Sequence, residues 1–179
     1  DSTALADLDP GADAVTRNVY GACGHKGRTY ICGLLGRSAV PNAVTVGASL
    51  AGAATPTTWS ILSDAASANP ITGTPYAIQT DGASMFIVDY ASNICTVKKS
   101  TNDGTAWPTT LATIQSSTAP RGNRAIMYGD GSGASVLDYW FTTADGLWHV
   151  DVSASTFELW FPFENSQSAY SGQIFLTPY

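Results

Sequence analysis

The sequence predicts an all-β chain of three consecutive four-stranded antiparallel units, and three observations predict it. First, the stretch Thr80-Asp81-Gly82-Ala83-Ser84-Met85-Phe86-Ile87-Val88-Asp89-Tyr90 is echoed by Gly129-Asp130-Gly131-Ser132-Gly133-Ala134-Ser135-Val136-Leu137-Asp138-Tyr139, with the Asp-Gly and Asp-Tyr pairs both returning after 49 positions. Second, Trp59 and Trp107 stand 48 positions apart and Trp160 follows 53 further on, a drift that loop insertions explain. Third, short apolar runs rich in β-branched and aromatic residues alternate with Gly, Asn, Asp and Pro, the punctuation of strands and tight turns.

Taken in order, the first unit has β-rich runs at 18–24, 29–35, 42–49 and 57–62, and the second at 76–80, 85–91, 94–99 and 106–114. The third has runs at 124–128, 135–143, 147–152 and 157–163. Between them lie His25-Lys26-Gly27, Ser92-Asn93, Asn102-Asp103-Gly104 and Ala144-Asp145-Gly146, residues that tight hairpins demand because they accept positive φ or bond their own backbone. The pairs Asp81-Gly82 and Asp130-Gly131 read as structural turns on the same grounds. Helix signals are poor. The segment 2–8 is short and ends at Asp9-Pro10-Gly11, and the Ala-rich tract 48–54 is interrupted by Gly52 and followed by Pro56.

Composition narrows the functional classes. At 179 residues the chain fits one domain, 1–179, with length enough for a real core. Only 12% of residues are charged, against a usual share of about 25%, so Ser, Thr, Asn and Gly must carry the polar surface. That pattern points to an extracellular or virion-associated protein. A net charge of −6 with eight Lys and Arg disfavours nucleic acid and anionic membrane as partners. No run has the apolar length of a membrane span. The start Asp1-Ser2-Thr3, without Met, suggests a processed product or a piece of something longer. Cys23, Cys32 and Cys95 leave two readings open: a Cys23–Cys32 pair on neighbouring strands with Cys95 free, or three buried thiols. Their spacing fits no zinc motif, and no metal or other cofactor is expected.

Three repeats of about 48 residues, each a four-stranded meander, match the blade period of a β-propeller, with a β-sandwich as the alternative. Blade one is expected at about 15–66, blade two at 75–116 and blade three at 122–165, with 166–179 a closing or extra strand. Ser100-Thr101-Asn102-Asp103-Gly104-Thr105-Ala106-Trp107 resembles the Asp-box of BNR-type propellers, Ser-x-Asp-x-Gly-x-Thr-Trp. Ser100, Gly104 and Trp107 match, while Asn102 stands in place of Asp and Ala106 in place of Thr. The resemblance implies a hairpin between the third and fourth strands of a blade, with Trp107 packed between blades. Thr142-Thr143-Ala144-Asp145-Gly146-Leu147-Trp148 looks like the turn-and-strand segment of other propellers. Closed propellers need about four to eight blades, so three imply a partial propeller, half of a six-bladed ring, or a part of a larger assembly.

Catalytic constellations are not complete. Asp-box proteins include sialidases, and the resemblance would require an Arg triad and a Tyr nucleophile. Arg17, Arg28, Arg37, Arg121 and Arg124 occupy no equivalent unit positions, and Ala119-Pro120-Arg121-Gly122 departs from that family's Phe-Arg-Ile-Pro. A glycosidase would draw paired carboxylates from Asp89, Asp138, Asp145, Asp151, Glu158 and Glu164. Asp89 and Asp138 hold equivalent repeat positions, which turn chemistry explains without catalysis. Neither His25 nor His149 lies in a nucleophile context, and Gly129-Asp130-Gly131-Ser132-Gly133 joins two strands rather than a strand and a helix, unlike a phosphate loop. The remaining candidates are aromatic: Tyr139, Trp140, Trp148 and Trp160 for ligand binding, with Ser100, Asn102, Gly104 and Trp107 as turn residues. In Leu159-Trp160-Phe161-Pro162-Phe163, neighbours in a regular strand point to opposite faces, so either both faces are covered or one aromatic is exposed.

The expected function is therefore a non-catalytic binding and assembly module that associates with itself or a larger assembly. The alternatives are a carbohydrate-binding propeller lectin or sialidase-like remnant, and a phage tail or capsid structural protein.

Overall fold

The structure, a computed structural model, describes residues 18–37, 40–48, 58–64, 71–120, 126–128 and 138–162. It is all-β: three antiparallel sheets of four strands, each a meander of consecutive strands. The first sheet contains β1 (Asn18–His25), β2 (Arg28–Arg37), β3 (Val40–Ala48) and β4 (Thr58–Asp64). The second contains β5 (Thr74–Thr80), β6 (Met85–Ala91), β7 (Ile94–Ser100) and β8 (Thr109–Gln115). The third contains β9 (Ile126–Tyr128), β10 (Asp138–Thr142), β11 (Gly146–Asp151) and β12 (Thr156–Pro162). Among the described residues no helix is long and apolar enough to cross a membrane. The segments 2–8, 49–54 and 166–179, the Asp130-Gly131 turn, and Arg17, Arg121 and Arg124 lie outside the described residues.

Two-residue turns set the hairpin registers. Lys26 (φ 47°) and Gly27 (φ 74°) join β1 to β2, and Ser92 (φ 52°) and Asn93 (φ 64°) join β6 to β7. Two successive positive φ values give the turn whose twist matches that of paired strands. Gly146 opens β11 at φ 152°, where a Cβ would stand 2.2 Å from Phe161 O; only Gly lets β12 approach so closely.

The middle sheet is buried on both faces, and β6 shows why its sequence is continuously apolar. Met85 and Ile87 pack with Tyr30, Cys32 and Val44 of the first sheet, together with Ile71, Ile78 and Trp107. Phe86 and Val88, on the opposite side of the pleat, pack with Tyr139, Phe141 and Val150 of the third sheet. β1 runs against β5, and β5 is in turn beside β9, so the first strands of the three sheets are neighbours. The approach at β1 is close: a Cβ on Gly21 would lie 3.0 Å from Ile78 N and 3.1 Å from Ala77 Cα. Cys32 and Cys95 are buried, Cys23 is half-buried, and all three are free thiols. Burial pushes Cys23 and Cys95 up to about 12 and Cys32 higher still, so they act as inert apolar groups.

Three expectations need correction. Asp89 is the fifth residue of β6, opposite Pro75 and Thr96, whereas Asp138 is the first of β10, opposite Tyr128 and Asp151. The 49-residue echo therefore does not place them at equivalent sheet positions, because the strands pair in different registers. Nor are the tryptophans equivalent: Trp59 is second in β4, Trp107 precedes β8, and Trp160 is fifth in β12. Finally, the run predicted at 106–114 begins with loop, since β8 starts at Thr109.

Candidate functional site

The turn that carries the Asp-box-like motif joins β7 to β8. Ser100 Oγ donates to Asn102 Oδ1 at 2.8 Å and accepts from Gly104 N at 3.0 Å, while Asn102 Oδ1 also accepts from Ala106 N at 3.0 Å. Gly104 holds φ 82°, and Trp107 drops into the core between the first and second sheets. Asn102 thus closes the loop as a short acceptor. At the β5–β6 hairpin, Asp81 Oδ1 accepts from Ala83 N at 2.8 Å and Ser84 N at 2.5 Å. His25 is buried and spans both turns, with Nδ1 2.6 Å from Thr80 Oγ1 and Nε2 3.0 Å from Asp103 Oδ1. Lys26 Nζ also donates to Asp103 Oδ1, and these contacts hold the Asp103 carboxyl below the usual range. These contacts tie the turns of the first and second sheets to each other, which makes them structural joints.

A comparable joint ties the second sheet to the third. Asp145 accepts from Ser116 Oγ, from Ser117 Oγ at 2.9 Å and from Thr143 Oγ1 at 3.2 Å, while Ala144 N donates to Thr118 Oγ1 at 2.8 Å. Burial alone would raise Asp145, but these hydrogen bonds outweigh it and hold the carboxyl below its ordinary value.

The outer face of the third sheet is different in kind. Strand alternation puts Tyr139 and Phe141 toward the middle sheet and Asp138 and Trp140 away from it. Register then aligns Trp140 with His149, and His149 with Glu158. The Trp140 and His149 rings stack at 4.3 Å and 26°, and Trp160 meets Trp140 edge-on at 4.8 Å and 70°. His149 Nε2 lies 2.7 Å from Asp138 Oδ1 and Nδ1 lies 3.1 Å from Glu158 Oε1. Partial burial pulls the imidazole down, but the hydrogen bonds and charges of Asp138 and Glu158 prevail and raise it above its ordinary value. Asp151 caps the β11–β12 turn by accepting from Ser153 and Ala154, and Ser153 chiefly holds it below the usual carboxylate range. Trp160 is 62% exposed.

No family model, curated protein or solved structure matches this chain. The site must be judged on its own geometry.

Of the four aromatic candidates, the structure brings two together. Trp140 and Trp160 share the outer face. Trp148 points the other way, half-buried against the core, with Nε1 donating to Thr143 Oγ1 at 3.1 Å. Tyr139 is fully buried between the second and third sheets, so no ligand reaches it there. Phe161 is exposed as well as Trp160, contrary to simple alternation, because β12 is an edge strand all of whose residues are exposed; its pairing with β11 also shifts, Leu147 facing Phe161 and Trp148 facing Leu159, with Trp160 the extra residue. His149, Asp138 and Glu158 were not grouped from the sequence. Their proximity depends on cross-strand register, and only the offsets between successive strand runs hinted at it. Among the described residues no three His, Cys, Asp or Glu side chains converge as metal ligands. His149 instead gives one nitrogen to each carboxylate.

Proposed function

We propose that the chain supplies three consecutive blades of a β-propeller and serves as a non-catalytic binding module, extracellular or virion-associated, whose recognition face is the outer face of the third sheet. The blade reading is supported by the order of the sheets and by the close approach of their first strands at Gly21. Sheets in an ordinary sandwich stay about 10 Å apart across their faces, whereas blades converge toward a common axis.

The observation that carries the binding role is the contrast between terminal sheets. Ile31, Leu35 and Ala43, on the side of the first sheet turned from the middle one, are buried. The outer face of the third sheet leaves Trp160 exposed against Trp140, with Asp138, His149 and Glu158 partly open to water beyond it. Carboxylates and an imidazole are costly to bury against another apolar sheet, so this face suits a polar partner better than ring closure with a second copy. Light scattering with acrylamide quenching tests this. The expected result is a quenchable Trp fraction that Trp160→Phe removes, with the mass in solution unchanged. A larger assembly that dissociates on Trp160→Phe would instead place a second copy on this face.

Carbohydrate recognition is the second reading, favoured by an exposed indole beside carboxylates that accept sugar hydroxyls. A panel of neutral and acidic glycans titrated against Trp fluorescence decides it.

A further inference from the structure

Charge is distributed unevenly along this chain. The first 124 residues hold all eight Lys and Arg against eight acidic residues, and so are formally neutral. From residue 125 onward there is no Lys or Arg, and Asp130, Asp138, Asp145, Asp151, Glu158 and Glu164 account for the whole net charge of −6. Asp138 and Glu158 flank His149, whose ring stacks on Trp140, and Trp140 in turn meets the exposed Trp160 edge-on. The side chain of Glu158 is 60% exposed and that of Asp138 is 31% exposed, so both reach water while contacting His149.

The histidine contacts make this face sensitive to protonation. Each ring nitrogen faces a carboxylate oxygen, and only the doubly protonated imidazolium has an N–H for both. The neutral ring has one N–H, so its other nitrogen turns a lone pair toward a carboxylate, which is then left to find another cation. Among the described residues the charged groups around His149 are Asp138 from β10, Glu158 from β12 and Asp151 from β11, and the ring stacked on it, Trp140, carries no charge. The exposed indole supplies a π face, which attracts ammonium and guanidinium groups.

We propose that this face docks a cationic side chain from a basic segment of a partner protein, and that the proton on His149 competes with that side chain for Asp138 and Glu158. The inference rests on the outer face of the third sheet being the recognition face. Docking strengthens as pH rises through the His149 transition, because deprotonation releases a carboxylate. The sign is opposite to that of a histidine that binds an acidic partner.

Hexa-arginine is the appropriate probe, since its own charge does not titrate in this range. Binding is followed by Trp fluorescence and calorimetry at pH 5.5 and 8, above the ordinary carboxylate range, with hexaglutamate and maltohexaose as controls. The expected result is binding at least about fivefold tighter at pH 8, weakened by salt, and lost or strongly reduced in Trp160→Ala and Glu158→Gln. His149→Gln should bind equally at both pH values. Thermal melts of each variant establish that it is folded. The inference is overturned by pH-independent binding in the wild type, or by the same pH dependence in His149→Gln. Binding of maltohexaose but not hexa-arginine, sensitive to Trp160→Ala, would overturn it while leaving the recognition face standing. Hexa-arginine binding indifferent to both Trp160→Ala and Glu158→Gln would remove the recognition face as well.

Discussion

Trp107 donates its indole N–H to Ser63 Oγ at 3.0 Å, fastening the β7–β8 turn of the middle sheet to the last strand of the first. Both residues are buried, so the bond has no water to replace it. Trp107→Phe should keep most of the apolar contact but orphan Ser63, lowering unfolding free energy by about 1–2 kcal/mol. Trp107→Ala should cost about 3–5 kcal/mol by opening a cavity. Urea unfolding measures both, and equal losses would mean that the indole contributes little beyond its hydrogen bond.

Asp145 should make stability depend on acid. Its folded value lies below the unfolded value of about 3.9, so the stabilisation is present above that pH and lost as pH falls through the folded value. Asp145→Asn should lower stability at pH 7 by about 1–3 kcal/mol and flatten the fall in Tm between about pH 4 and pH 2. Unchanged acid dependence in the variant would assign that loss to other carboxylates.

Asp89 and Lys98 form an ion pair at 2.8 Å between adjacent strands of the middle sheet, with side chains only 3% and 12% exposed. Lys98→Met alone should strand a buried carboxylate and cost about 3–5 kcal/mol. The double variant Asp89→Leu/Lys98→Met should recover most of that loss, since replacing both charges with apolar groups of similar volume is often neutral or stabilising. A double-mutant cycle by chemical denaturation provides the test. A double variant as unstable as the single one would show that the pair holds the strands in place.

Tyr139 is fully buried and its hydroxyl has no hydrogen-bond partner among the described residues. Removing an orphaned hydroxyl removes its desolvation cost, so Tyr139→Phe should raise stability by about 1 kcal/mol, read as a higher Tm. A drop in stability would show that the hydroxyl is satisfied in solution, as by an internal water.

Local architecture is written in the order of the residues. Strand runs, hairpin turns such as Lys26-Gly27 and Ser92-Asn93, and the Ser100–Trp107 loop were legible because they depend on short-range chemistry: pleat alternation, positive φ and side-chain capping of nearby amides. Which residues meet across strands and sheets depends on how the strands pair and the sheets pack. The pairing of β10 with β11 put Asp138 within reach of His149 and out of step with Asp89. The place of β12 at the sheet edge left Trp160 and Phe161 exposed together, while stacking of the second and third sheets buried Tyr139. Side chains alternate with a period of two, so one extra residue in a strand or loop reverses a face, and no local pattern records that choice until neighbouring strands pair.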